Sequence, residues 1–336
     1  MSNKLLELKN LSTSFRIEGE YYAAVDDVSL TLNKNEVLGI VGESGSGKSA
    51  LAFSVMGLHN RAKTEGEILL KGNDLVKATS SQINKLRGDD LAMIFQDPLT
   101  ALNPLMEIGD QIAETLILHR PKMTKKQRYD RVIELLNLVG IPRPEHVFGQ
   151  FPHELSGGMR QRVVIAIAIA NEPELLIADE PTTALDVTIQ AQILDLICEL
   201  KDKMEAGIIL ITHDLGVVAE MADRVAVMYA GQLVEVTDVN TLFENPLHPY
   251  TRSLLNSVPV EGEDKLHVIQ GIVPSLKNLP RKGCRFAARI PWVDESAHEE
   301  NPEMHEVSPG HFVRCTCHSH FYFPETEKEA ESNGVS

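Results

Sequence analysis

Val37-Leu38-Gly39-Ile40-Val41-Gly42-Glu43-Ser44-Gly45-Ser46-Gly47-Lys48-Ser49 is the stretch that decides the fold. Its first five residues read as a short buried strand of a parallel sheet. The eight that follow fit G-x-x-x-x-G-K-[ST], in the strand-then-helix setting that motif requires. Glycines there let backbone N–H groups converge on phosphate oxygens, and Lys48 adds a point charge. The Ser49 hydroxyl is a magnesium ligand, and a helix starting near Lys48 presents its positive end to the anion. Gly42, Glu43, Ser44, Gly45, Ser46, Gly47, Lys48 and Ser49 are therefore the expected phosphate cradle for ATP. A glycine-rich turn without a ligand would explain neither the lysine nor the serine.

Two more apolar runs, Leu175–Ala178 and Ile208–Ile211, also read as buried parallel strands. Each leads into polar residues at its C-terminal end, where open α/β sheets bind their ligands. After the first come Asp179, placed to hold magnesium, and Glu180, placed to orient an attacking water; the bland alternative is a helix-capping pair. Phosphoryl transfer asks mainly for such positioning and charge neutralisation. After the second come Thr212 and His213. Upstream lies Ile94-Phe95-Gln96-Asp97-Pro98, and between these lies Leu155-Ser156-Gly157-Gly158-Met159-Arg160-Gln161-Arg162. Ser156 is a good N-cap, and an apolar helix, Val163–Ala170, follows it. This is a second anion-binding helix start in a chain with a single phosphate cradle. A lone Gln or His after a strand is commonly structural, so Gln96 and His213 draw meaning from their order among the other segments.

That ordered set of five segments resembles the nucleotide-binding subunit of ATP-binding-cassette (ABC) transporters. The resemblance implies an α/β P-loop domain with a RecA-like core, an antiparallel β subdomain and a helical subdomain. It implies ATP hydrolysis with Mg2+ held by Ser49, Gln96 and Asp179, with Glu180, His213 and Gln96 as catalytic residues. It also implies a head-to-tail dimer, in which Leu155, Ser156, Gly157, Gly158, Met159, Arg160 and Gln161 cover the ATP of the opposite subunit. Asp186 resembles the aspartate that communicates across that dimer. Phe15 is the position matching the ring that stacks on adenine, with Tyr22 as alternative and Tyr21 also near.

Asp97-Pro98-Leu99-Thr100-Ala101-Leu102-Asn103-Pro104, Asn245-Pro246-Leu247-His248-Pro249-Tyr250-Thr251-Arg252 and Gly283-Cys284-Arg285-Phe286 narrow the likeness. They are similar to the ATPase subunits of bacterial oligopeptide and dipeptide importers, closest to the oligopeptide-permease subunit of the first ATPase type; nickel importers share the marks. Two integral-membrane permease subunits, a second homologous ATPase subunit (identical or related) and an extracellular peptide-binding protein are the implied partners. Many such proteins carry four tail cysteines able to hold an iron–sulfur cluster. Here Cys284 and Cys315 match, but Ile290 and His298 stand at the other two positions, and isoleucine cannot ligate iron. A tail without metal is the reading preferred over both the cluster and a zinc site. Cys284, His298, Cys315 and Cys317 remain possible ligands, and Cys317 with His311, His318 and His320 is a possible zinc set.

The bulk numbers fit. The chain has 336 residues, 43% hydrophobic and 24% charged, as in ordinary globular proteins. A net charge of −16 repels nucleic acid, and no nucleic-acid partner is expected. No segment reaches the roughly 20 apolar residues of a membrane span, and no signal peptide is read at the start. The expected location is the cytoplasmic side of the cell membrane, held peripherally through partners. Four cysteines are no disulfide framework.

Strands are expected over Leu5–Leu11, Ala24–Leu32 and Glu67–Leu70, a helix after a Thr124/Gln127 cap, another from Asp186 to Lys201, and a hairpin over Val225–Val236. The expected domains are residues 1–255 for the nucleotide-binding domain, with its helical part at about 97–165, and 256–323 for an importer-type extension. A disordered tail is expected over 324–336. A soluble, non-transport ABC ATPase and an ATP-binding subunit without turnover are the competing readings.

Overall fold

The computed structural model describes residues 3–59, 61–183, 185–257, 269–280 and 282–324. Of the tail expected to be disordered, 325–336 lies outside the described residues, as do 258–268 of the extension.

Two sheets organise the chain. The smaller is antiparallel, in the order Glu20–Asn33, Lys4–Ile17, Lys63–Leu70, Asn73–Asp74. Its first two strands run beyond their apolar cores because Glu18 and Gly19 both take positive φ, 51° and 97°. That is the turn geometry which matches strand twist and lets a hairpin zip to its tip. The larger sheet runs Met304–Ser308, His311–Arg314, Gln232–Asp238, Arg224–Tyr229, Val37–Val41, Gly207–Ile211, Leu175–Asp179, Leu91–Ile94. Its last five strands are mutually parallel, and the first three are joined antiparallel.

Alternation along the parallel strands builds two cores. Leu38, Ile40, Leu175, Ile177, Ile209 and Ile211 pack toward the antiparallel sheet, against Leu6, Leu8, Val28 and Ile68. Val37, Val41, Leu176, Ala178, Ile208 and Leu210 pack toward the helices. Burial on both faces is why these strands read as unbroken apolar runs.

The helical part contains Pro98–Ala101, Ile108–His119, Lys125–Leu138, Pro144–Phe148 and Gly157–Ala168. The Thr124 cap forms reciprocally: Gln127 N–H donates to Thr124 Oγ1 at 3.3 Å, and Thr124 N–H to Gln127 Oε1 at 2.8 Å. Val132, Leu135, Leu136 and Val139 of that helix are fully buried.

The tail adds two strands to the core sheet, His311–Arg314 pairing with Gln232–Asp238 through Val313–Glu235 and Phe312–Val236. Its anchor is Glu235, completely buried, which accepts from His311 Nε2 at 2.8 Å and from the Leu247 and His248 amides at 2.9 Å. Burial works to raise this carboxyl's pKa, but the hydrogen bonds outweigh it and hold it below the usual range.

Candidate active site

The glycine-rich loop is pressed between neighbouring backbones. Gly42 has φ 152°, and a Cβ there would lie 2.1 Å from the Met228 carbonyl oxygen. At Gly47, φ 105°, it would lie 2.5 Å from that of Ala24. Only glycine fits either place. The helix Lys48–Val55 then begins at Gly47 without a side-chain cap, which leaves its first N–H groups for a ligand. Lys48 Nζ donates to the Gly42 and Glu43 carbonyls at 2.7 and 3.0 Å. Burial pushes its pKa down, against the pull of Glu180, Asp179 and Glu43.

Asp179 ends its strand almost fully buried, and burial raises its pKa while the Ser49 hydroxyl draws it down. Its Oδ1, like Ser46 Oγ, is buried without a hydrogen-bond partner. A buried carboxylate oxygen left this way suits a cation. Ser49 and Asp179 bring oxygen donors together, the ligand class Mg2+ prefers, so the residues fit that ion.

Glu180 follows in the left-handed region, φ 46°, its N–H bonded to Ile211 O at 2.8 Å. Three side chains surround its carboxylate. Gln96 Nε2 donates at 2.7 Å, Thr183 Oγ1 at 2.9 Å, and His213 Nδ1 stands 3.3 Å away. Because a carboxylate only accepts, the Gln96 amide must turn its NH2 to Glu180, leaving its carbonyl oxygen for another partner. Gln96, Glu180 and His213 thus come together from the ends of three adjacent strands, Leu91–Ile94, Leu175–Asp179 and Gly207–Ile211. Thr183 was not singled out in the sequence, where it is one polar residue in a turn.

Ser156 caps the helix Gly157–Ala168 by accepting from the Met159 N–H at 3.3 Å. Its two glycines differ. A Cβ on Gly158 would meet Ile189 Cγ2 at 2.8 Å, whereas one on Gly157 would meet nothing nearer than Leu185 at 3.7 Å. Leu155 and Gln161 are buried, and Arg160 Nε donates to the Pro152 carbonyl at 2.7 Å. Asp186 caps the helix Val187–Met204, accepting from Ile189 N–H at 3.1 Å. Phe15 and Tyr22 are cross-strand partners, so both rings rise from one sheet face. Phe15 meets His59 edge-on at 4.9 Å, and Tyr22 donates to Glu20 at 3.2 Å. Tyr21 pairs with Arg16 and points to the other face.

The tail reaches this site, which sequence reading did not anticipate. Tyr250 Oη accepts from the Glu43 N–H at 2.7 Å. Arg289 grips the Glu43 carboxylate from both terminal guanidinium nitrogens, at 2.7 and 3.2 Å, and also donates to the Gln270 and Gly271 carbonyls. Arg285 pairs with Asp26 and the Ala230 carbonyl. Tyr250 and Arg285 sit inside two of the three segments that marked the subfamily, the one signal that could have pointed here.

The tail donors do not group as the possible zinc set had them. His311 is taken by Glu235, and His318 Nδ1 lies 3.0 Å from the Cys315 carbonyl. Among the described residues, Cys317 gathers instead with Cys284, Cys315 and His298, the other set considered. Ile290 lies buried in the apolar core.

Comparisons with known proteins agree with this geometry. The family described as "ABC transporter" matches residues 25–183, and "Oligopeptide/dipeptide transporter, C-terminal region" matches 234–296. The chain is 56% identical over 329 residues to the oligopeptide transport ATP-binding protein OppD of Lactococcus lactis subsp. cremoris, covering 96% of this chain and 97% of that protein. To the Bacillus subtilis OppD it is 52% identical, covering 93% and 88%, and to the Lactococcus lactis dipeptide transport ATP-binding protein DppD 50%, covering 93% and 90%. The dimeric ATP-binding cassette MJ0796 bound to ADP and Pi superposes with a TM-score of 0.64 at 28% identity, covering 70% of this chain and 98% of that one. No helix among the described residues is long and apolar enough to cross a membrane. With both family matches and relatives at 50–56% identity over nearly the whole chain, the chain belongs to the ABC-transporter ATP-binding proteins of the oligopeptide/dipeptide transporter family and is an ATPase of that family.

Proposed function

We infer that this ATPase drives uptake of oligopeptides, working as a dimer against two membrane permease subunits that an external peptide-binding protein supplies. The observation that carries the catalytic part is Glu180, held by Gln96, Thr183 and His213. Its carboxylate orients the water that attacks the γ-phosphorus and takes up the proton as the bond to ADP breaks. Lys48 and the amides of Gly45–Ser49 hold the phosphates, and His213 contacts the γ-phosphate. Ser49, Asp179 and the Gln96 carbonyl would hold Mg2+, which would supply neutralisation of the phosphate charge. Phe15 stacks on adenine, with Tyr22, on the same face, as the alternative. Leu155–Gln161 closes over the ATP of the opposite subunit, which Gly157, whose added Cβ would come no nearer than 3.7 Å to Leu185, supports. Asp186 relays that closure, and residues 1–255 act as the nucleotide-binding domain beneath the 256–323 extension.

Oligopeptides are favoured as cargo over dipeptides or nickel because the relatives of higher identity carry that name. The test is the assembled complex in vesicles, wild type beside Glu180→Gln. Turnover should fall by about 10²–10⁴-fold in the variant with ATP still bound and peptide uptake abolished. Undiminished turnover removes Glu180 from the mechanism, and a chain that copurifies with no membrane protein removes the importer.

A further inference from the structure

We propose that the tail holds a single zinc ion between Cys284, His298, Cys315 and Cys317. One donor atom from each residue falls in a group whose members all lie within 4.8 Å of one another. Three sulfurs and one nitrogen around zinc, at about 2.3 and 2.0 Å, stand about 3.5–3.8 Å apart at the corners of a tetrahedron. The four donors are thus within a small contraction of that figure. A [4Fe–4S] cube holds its four cysteine sulfurs about 6.5 Å apart, by the dimensions of its iron corners. The cluster considered from the sequence resemblance therefore does not fit these residues, and Ile290, buried in the apolar core, offers no donor.

Two further observations point to a ligand. His298 Nδ1 is buried without any hydrogen-bond partner, an uncompensated polar atom beside three thiols. Cys315 adopts φ 68°, ψ 137°, a conformation unfavourable for a residue with a side chain and one that gathers where a ligand clamp repays it. Cys315 and Cys317 are wholly buried and Cys284 is nearly so, with His298 half-buried, so the three sulfurs lie out of water as in structural zinc sites. Binding needs no oxidant: zinc enters, the thiol protons leave to solvent, and sulfur and metal keep their oxidation states.

The ion would join three separate pieces of the tail. Cys284 precedes the turn that carries Arg285 and Arg289 to the phosphate loop, His298 follows the short turn Glu295–Ala297, and Cys315 ends the strand His311–Arg314. Zinc would thereby fix the segment that grips Glu43.

The full chain, purified without chelator or added metal, is to be analysed for zinc, iron and acid-labile sulfide. About one zinc per chain and no sulfide is the expected result. Cobalt(II) exchanged into the wild type should give visible bands of tetrahedral intensity and a thiolate charge-transfer band, both lost in Cys317→Ser. Should that variant misfold, the wild type still decides the matter by alkylation. Three cysteines should be protected until chelator is added, while Cys198, outside the group, reacts equally in both conditions. Iron with sulfide, a Cys284, Cys315 or Cys317 disulfide, or thiols indifferent to chelator would each overturn the assignment.

Discussion

Glu43 places a carboxylate in a loop built to hold phosphate, and like charges a few ångströms apart cost about 3–4 kcal/mol at an effective dielectric near 20. Arg289 removes that cost by pairing with it from a nearly buried position, a guanidinium fork matched to a carboxylate. Arg289→Ala should therefore weaken ATP binding about tenfold, ~1.4 kcal/mol, measured by calorimetry on the nucleotide-free protein. Glu43→Gln in the same chain should restore most of the loss, because the repelling charge is gone. A double variant as weak as the single one would mean that Arg289 acts by packing alone. Thr183 follows the same logic on a smaller scale. Thr183→Val removes one donor to Glu180 and should lower kcat several-fold, with KM for ATP unchanged, in a steady-state assay.

At the scale of elements, the two glycines of the Ser156-capped helix are predicted to separate folding from function. Ile189 Cγ2 leaves no space for a methyl group on Gly158, so Gly158→Ala should push that helix off Val187–Met204 and cost about 1–3 kcal/mol in thermal unfolding. Ile189→Ala should recover part of it. Gly157→Ala meets only an ordinary contact with Leu185 at 3.7 Å, so its melting temperature should hold while dimer-dependent ATPase activity falls. Which elements could be read beforehand follows from the same packing. Val37–Val41, Leu175–Asp179 and Gly207–Ile211 are buried on both faces, so composition alone marks them. Leu91–Ile94 offers only four residues at the sheet edge, too few to show a period, although it carries Gln96. Met304–Ser308 is mostly exposed and His311–Arg314 owes its place to pairing with Gln232–Asp238, a partner some 75 residues upstream that local pattern cannot reveal. The motifs naming Lys48, Asp179 and Glu180 are local, hence legible. Arg289 on Glu43 is a contact between residues 246 apart, and nothing local records it.

For the whole molecule, the tail, the core sheet and the phosphate loop converge on one buried histidine. His248 sits beside Glu235 and the charged or titratable Arg314, Cys315 and His318, its Nδ1 accepts the Tyr250 N–H at 3.0 Å, and Tyr250 in turn holds Glu43. Burial pushes the His248 pKa down from 6.5 to about 4, despite the attraction of Glu235. Between those values the unfolded chain binds a proton that the folded chain refuses, so stability rises with pH across this window and is lost as pH falls through it. The full shift corresponds to about 3 kcal/mol, to order of magnitude. Glu235, held below the usual carboxyl range, adds its own loss only at lower pH, as it takes up a proton. Melting temperature measured from pH 7.5 down to about 3 should therefore fall in two stages, the first belonging to His248. His248→Asn keeps an acceptor for the Tyr250 amide but cannot titrate, and should flatten the first stage while leaving the second. A variant that melts along the wild-type curve throughout would transfer the whole acid sensitivity to the carboxylates. Because the folded chain keeps His248 neutral down to about pH 4, Tyr250 should stay on Glu43 across most of the first stage, and the ATP affinity of the folded protein should hold there and decline only as the pH falls to about 4.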